Sequence, residues 1–239
     1  MARFLLVHGA AHGAWCWEKV EPALAALGHD TVAIDLPSHG SDPTPVADVT
    51  LDGYASAIQS ALDAPSMVVG HSMGGYPISL AAERDPTHVR HLVYLAAYVP
   101  WPDHSLSQMR KRAPRQPLIE AIVRNPDGLS THFDPEKSPA KFYQDCSPDV
   151  VAAALPRLCD QALQPMSVPV TLGTVYRSCP RSYILCENDG AIPPEFQETM
   201  ANDFAKDAVY RMPTGHSPFF ADPGGLAAIL DRIARKQEA

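Results

Sequence analysis

Gly70-His71-Ser72-Met73-Gly74 follows the apolar run Met67-Val68-Val69 and leads into Gly75–Glu83, which has helical spacing. A strand that ends at Gly70 and a helix that begins near Met73 force a sharp reversal at Ser72. The middle residue of such a turn takes a strained backbone, and its neighbours can carry little bulk. The turn lifts the serine oxygen clear of the sheet. It also leaves helix N-terminal amides beside that oxygen, able to stabilise negative charge. A bare G-x-S-x-G pattern is common. The strand before it and the helix after it make Ser72 a candidate nucleophile.

Working outward from this turn, apolar strand-like runs alternate with helix-like runs. Phe4–His8, Thr31–Ile34, Ser66–Gly70, Leu92–Ala96, Ser182–Cys186 and Ala208–Met212 read as strands. Trp15–Leu27, Leu51–Leu62, Glu195–Phe204 and Pro223–Ala234 read as helices, as does the stretch after Ser72. Continuous apolar strands between helices predict an α/β fold, a buried parallel sheet with helices on both faces. One segment breaks the rhythm. Residues 100–176 hold 11 of the 24 prolines and no convincing buried strand; short helices are expected near Leu118–Arg124 and Asp149–Leu163. A structureless loop of that length inside a domain is improbable. The expectation is a core of residues 1–99 and 177–239, with 100–176 inserted as a cap over the C-terminal edge of the sheet.

Composition narrows the function classes. A net charge of −8 argues against nucleic acid and acidic membrane surfaces as partners. No apolar stretch approaches the roughly 20 residues of a membrane span. The N-terminal apolar run is too short for a signal peptide, so a cytoplasmic protein is expected. The five cysteines are scattered without a C-x-x-C pair, which predicts free thiols and no metal site. Nothing decides between a monomer and a homodimer.

A serine hydroxyl needs a base, and the base needs an orienting acid. In a parallel sheet the loops after the strands share one edge, so both partners should follow strands. Of ten histidines, only His216 lies beyond the penultimate strand, in Gly215-His216-Ser217 after the last one. Asp189 follows Ser182–Cys186 on a tight loop that ends in Gly190. Asp103, beyond Pro100 and Pro102, is its rival; Glu187 and Asp222 lie nearby. An oxyanion needs two aimed donors. The N–H of Met73 is one candidate. The N–H of Ala10, in the loop His8-Gly9-Ala10-Ala11-His12-Gly13, is the other, with Gly9 an uncluttered wall. His12 either orients that loop or touches substrate. Tyr98, Trp101, Phe133, Phe142, Tyr143 and Phe219 are candidate pocket walls, each equally able to pack the cap onto the sheet.

Leu6-Val7-His8-Gly9-Ala10-Ala11-His12-Gly13-Ala14-Trp15-Cys16-Trp17 resembles the opening of one branch of the α/β-hydrolases. That branch contains plant methyl esterases and hydroxynitrile lyases, with many bacterial esterases. Gly70–Gly75 resembles its nucleophile elbow, Cys146-Ser147-Pro148-Asp149 a cap-helix motif, Asn188–Gln197 its acid loop and Gly215-His216 its histidine loop. The resemblance runs nearly end to end. It implies an α/β-hydrolase fold beginning at the equivalent of the third strand of larger members, with about six strands. It implies Ser72, Asp189 and His216 as a triad, Ala10 and Met73 as oxyanion donors, no cofactor, and a small cap over an apolar pocket.

Two positions separate the branches. Hydroxynitrile lyases resembling this chain carry threonine or asparagine where it has Gly9. Those with threonine also carry lysine after the histidine, where it has Ser217. Plant esterases commonly have methionine there, so Ser217 leaves the acyl pocket open. The expectation is a serine carboxylic ester hydrolase whose partners are a small hydrophobic ester, aryl or methyl, and water. Cyanohydrin cleavage, lactone or amide hydrolysis, and ligand binding without turnover are the alternatives.

Overall fold

The computed structural model describes residues 1–238. In chain order its regular elements are β1 (Arg3–Val7), α1 (Val20–Ala26), β2 (Asp30–Ile34), α2 (Leu51–Ala61), β3 (Ser66–His71), α3 (Gly75–Arg84) and β4 (Val89–Leu95). Then follow α4 (Leu106–Arg112), β5 (Ile122–Arg124), β6 (Ser130–Phe133), α5 (Pro139–Phe142), α6 (Pro148–Ala154), β7 (Gln161–Ala162), α7 (Gln164–Ser167) and α8 (Thr174–Ser178). The chain closes with β8 (Arg181–Cys186), α9 (Pro194–Ala201), β9 (Val209–Met212), α10 (Pro218–Ala221) and α11 (Pro223–Glu238).

Six strands form one parallel sheet in the order β2-β1-β3-β4-β8-β9. Successive side chains of a strand point to opposite faces, and both faces are covered. Leu5, Val7, Val68, Leu92, Tyr94, Tyr183 and Leu185 pack with α2, α3 and α9. Phe4, Leu6, Met67, Val69, Val93, Leu95 and Ile184 pack with α1 and α11 on the other side. This two-sided burial is why the strands read as unbroken apolar runs rather than alternating ones. The helix starts are chemically marked. The Thr50 hydroxyl accepts from the Gly53 N–H at 2.9 Å and caps α2.

The segment between β4 and β8 departs from the sequence expectation. It contains a three-stranded antiparallel sheet, in the order β5-β6-β7. The helix expected at Leu118–Arg124 is a 3-10 turn, Pro117–Ala121, that runs straight into β5. The helix expected over Asp149–Leu163 stops at Ala154; a 3-10 turn at Leu155–Arg157 follows, with Pro156 inside it. Proline removes an N–H and crowds the preceding turn, so α6 cannot propagate. The small strands were illegible because they have only two to four residues and a polar, half-exposed composition such as Ser130-Thr131-His132-Phe133. Helix α4 was legible and missed. Ser105 and Gln108 form a capping box, with bonds of 3.2 Å to the Gln108 N–H and 2.8 Å from the Ser105 N–H.

The Ser72 turn is packed closely against the chain after β4. Ser72 has φ +54°, the left-handed region that a side-chain-bearing residue rarely adopts. Its carbonyl accepts from the Tyr98 N–H at 3.0 Å, which ties the turn to the chain after β4. There is no room at Gly75: a Cβ on it would lie 2.1 Å from the Tyr98 carbonyl oxygen. Gly75→Ala is therefore expected to cost about 3 kcal/mol, the upper end of overpacking, because backbone must move. The urea midpoint measures it. An unchanged midpoint would show that the chain after β4 yields freely.

Candidate active site

Loops after four parallel strands converge on Ser72. Its hydroxyl lies 3.1 Å from Nε2 of His216, in the loop after β9. His216 Nδ1 lies 2.7 Å from Asp189 Oδ2, in the loop after β8. Nδ1 faces a carboxylate, so it carries the ring proton; Nε2 is then free to accept from the serine. The Asp189 carboxylate is fully buried and receives three further hydrogen bonds. The N–H groups of Ala191 and Ile192 donate to Oδ1 at 2.7 and 2.8 Å. The Gln197 amide donates to Oδ2 at 2.8 Å. Asp103 is elsewhere, exposed and bound to the Thr171 hydroxyl at 3.1 Å.

The histidine is held on every side. His71 Nε2 donates to the His216 carbonyl at 2.8 Å, and the two rings lie 4.6 Å apart. Phe142 stacks on the His216 ring at 5.6 Å and 29°. Asp145 accepts from the Gly215 N–H at 2.5 Å, and the Gln144 amide donates to the Asn188 carbonyl at 2.6 Å. Adjacent residues after α5 thus clamp the acid loop and the histidine loop together. Gln197, Gln144, Asp145 and His71 were not picked out from sequence. Their signal was weak: His71 and Gln197 lie inside motifs already quoted, and Gln144 and Asp145 directly precede one.

The loop after β1 lies against the serine. A Cβ on Gly9 would sit 2.8 Å from His71 Nδ1 and 2.9 Å from Ser72 Cβ. Ala10 and Met73 border the same cavity as Ser72. The Met73 N–H lies in the first turn after the strand, where no intrahelical acceptor precedes it. His12 does not border the cavity. It donates from Nδ1 to the Ala10 carbonyl at 2.9 Å and accepts at Nε2 from the Tyr143 hydroxyl at 2.8 Å, so it braces the loop. Ala11 has φ +59°, and its N–H donates to Gln161 Oε1 at 3.3 Å, fixing the loop to β7.

The cavity at Ser72 is bordered by Tyr98 and Phe133 and by residues that the sequence did not single out. These are Leu106, Ser107 and Arg110 of α4, Leu118, Ile122 of β5, Thr131 of β6, Gln161, Leu163 and Met166. The other expected walls lie elsewhere. Trp101 packs on Phe196 and borders a separate cavity of about 290 Å³ that holds no nucleophile. Phe142, Tyr143 and Phe219 are buried behind the histidines, with Phe219 edge-on to His71 at 5.0 Å. Ser217 is fully buried, and its hydroxyl has no partner. Among the described residues no three His, Cys, Asp or Glu side chains gather to hold a metal ion. No helix among them is long and apolar enough to cross a membrane.

Burial holds three neighbouring histidines neutral. It pushes His8 and His71 well below the ordinary value, helped by the nearby rings of His39 and His216 respectively. It brings His12 down to about 4. A histidine with a depressed folded-state pKa contributes its full stability above about pH 6.5 and loses it as pH falls toward the folded value. Unfolding free energy should therefore fall between about pH 6.5 and 4, by up to about 1.4 kcal/mol per pH unit for each such group. Urea titrations across that range measure it, and a flat profile would contradict the burial.

The chain matches the alpha/beta hydrolase family model over residues 4–229. It is 34% identical to methylesterase 7 of Arabidopsis thaliana, over 98% of this chain and 96% of that one. Its structure superposes on polyneuridine aldehyde esterase with a TM-score of 0.87 at 27% identity, covering 98% of this chain and 99% of that one. A pyrethroid hydrolase from Sphingobium faniae gives 0.87 at 26%, covering 100% and 98%. With the strand order and the serine turn above, this chain belongs to the alpha/beta hydrolase family and is an esterase-type hydrolase.

Proposed function

We propose that the chain hydrolyses a small, largely apolar carboxylic ester through an acyl-enzyme on Ser72. The observation that carries this reading is the pair of contacts at His216, 3.1 Å to the Ser72 hydroxyl and 2.7 Å to Asp189. His216 takes the serine proton as Ser72 attacks the carbonyl carbon. Asp189 keeps the ring in the tautomer that leaves Nε2 free and offsets the positive charge that develops. The N–H groups of Met73 and Ala10 receive the oxyanion. His216 then protonates the departing alcohol. A water that loses its proton to the same nitrogen cleaves the acyl-enzyme and releases the acid.

The substrate class is supported by the walls. Leu106, Leu118, Ile122, Phe133, Leu163 and Met166 offer apolar surface around Ser72. Relatives named methylesterase make a methyl ester a natural first substrate. A side chain at position 9, which the lyases resembling this chain carry, would collide with His71 and Ser72 here. Ester hydrolysis is therefore favoured over cyanohydrin cleavage.

Ser72→Ala should lower kcat on an aryl acetate more than about a thousandfold while leaving the thermal midpoint near its original value. Full activity in that variant would remove Ser72 from the mechanism. Asp189→Asn should lower kcat by about 10²–10⁴-fold, and Asp103→Asn should leave it within about twofold. The reverse pattern would show that the acid is misassigned. A fluorophosphonate that fails to label Ser72 would favour ligand binding without turnover.

A further inference from the structure

Arg110 is the one cation among the residues that border the Ser72 cavity. Its Nε is buried without a hydrogen-bond partner. Among the described residues no carboxylate pairs with its guanidinium. Acidic residues outnumber basic ones by 27 to 19, and several arginines elsewhere in the chain are paired with one. Arg84, Arg115, Arg157 and Arg211 each hold a carboxylate.

The helix that carries Arg110 is held firmly. The Ser105–Gln108 capping box closes the start of α4, and Leu106 and Met109 are buried in the core. The Tyr76 hydroxyl donates to the His104 carbonyl at 3.0 Å, just before the cap. Arg110 borders the cavity together with Tyr98, Ser107, Thr131 and Ser72. Its charge reaches the Tyr98 phenol, where it opposes the burial that pushes that group up.

A guanidinium presents a planar fork of donors that matches a carboxylate bidentately. If a wholly apolar ester filled the cavity, it would strip water from this fork and return nothing, which is costly. An ester with a carboxylate at its far end would satisfy the fork while the apolar walls cover the chain between.

We propose that Arg110 determines specificity by pairing with a substrate carboxylate, so that the site takes half-esters of dicarboxylic acids. This rests on the ester-hydrolase reading and narrows it: the substrate is apolar in the middle and anionic at the end remote from the scissile bond. Hydrolysis of such a half-ester releases an alcohol and leaves a dicarboxylate. A reaction that consumes dicarboxylic acids would follow.

Monomethyl adipate and methyl hexanoate test this, because they differ only in a terminal carboxylate against a methyl group. In the unaltered protein kcat/KM for the half-ester should exceed that for the neutral ester by at least about tenfold. In Arg110→Met, which keeps the length of the stem, that ratio should fall to about one or lower, with Arg110→Lys in between. Should Arg110→Met not fold, the ratios of the unaltered protein and Arg110→Lys still decide. A ratio near one in the unaltered protein, or one that Arg110→Met leaves unchanged, overturns the proposal while the hydrolase reading stands. Calorimetric titration of both esters into Ser72→Ala separates the two claims. If neither ester is cleaved but monomethyl adipate binds in an Arg110-dependent way, the anion site stands and the hydrolase reading fails. If Ser72→Ala binds neither ester, the anion site fails.

Discussion

The left-handed backbone of Ser72 is the constraint on which the rest of the structure depends. A residue held at φ +54° is strained by about 1–3 kcal/mol, and it persists only where the surroundings over-determine it. They do so here from two directions, the loop after β1 and the chain after β4. Gly9 brings the loop after β1 within contact of Ser72 Cβ, Gly75 lets the chain after β4 lie against the start of α3, and Tyr98 donates to the serine carbonyl. Each contact is backbone-close. Small residues are needed on both sides, and the serine oxygen has one place to be.

A serine hydroxyl held in this way can be activated only by a base and an acid held beside it, and His216 and Asp189 arrive from loops distant in sequence. Ser72 and His216 are 144 residues apart, yet their side chains meet at 3.1 Å. Polar clamps hold that geometry. Gln197 bridges the Asp189 carboxylate and the Cys186 N–H, while Asp145 and Gln144 tie the two catalytic-edge loops to the segment after α5. His12 and Tyr143 brace the loop after β1 in the same manner. The Gln197 and Tyr143 bonds lie in buried surroundings, where a satisfied network rigidifies and a broken one is costly. The segment between β4 and β8 therefore does more than cover the cavity. It holds the loops that meet at Ser72.

Much of this was legible from the residues. The six strands were visible because each is an apolar run bounded by polar or turn residues, and two-sided burial demands that pattern. Ser72, Asp189 and His216 were visible because each follows such a strand, and parallel strands deliver their ends to one edge. Strands β5 to β7 were not, since two to four residues of mixed polarity carry no period to read. The cavity walls were also hard to read. Phe133 and Phe142 are chemically alike, yet one faces Ser72 while the other stacks behind His216.

The sequence by itself determined the layering, the six strands of the main sheet and the order in which Ser72, Asp189 and His216 follow their strands. Those follow from local periodicity and from turn chemistry, which neighbouring residues settle among themselves. Tertiary structure alone decided which residues enclose Ser72. That choice rests on how α4 and the small antiparallel sheet dock against the main sheet. It placed Tyr98, Phe133 and Arg110 at the cavity and turned Trp101, Tyr143 and Phe219 away from it. Docking is a matter of shape and long-range packing, and no window of sequence contains it.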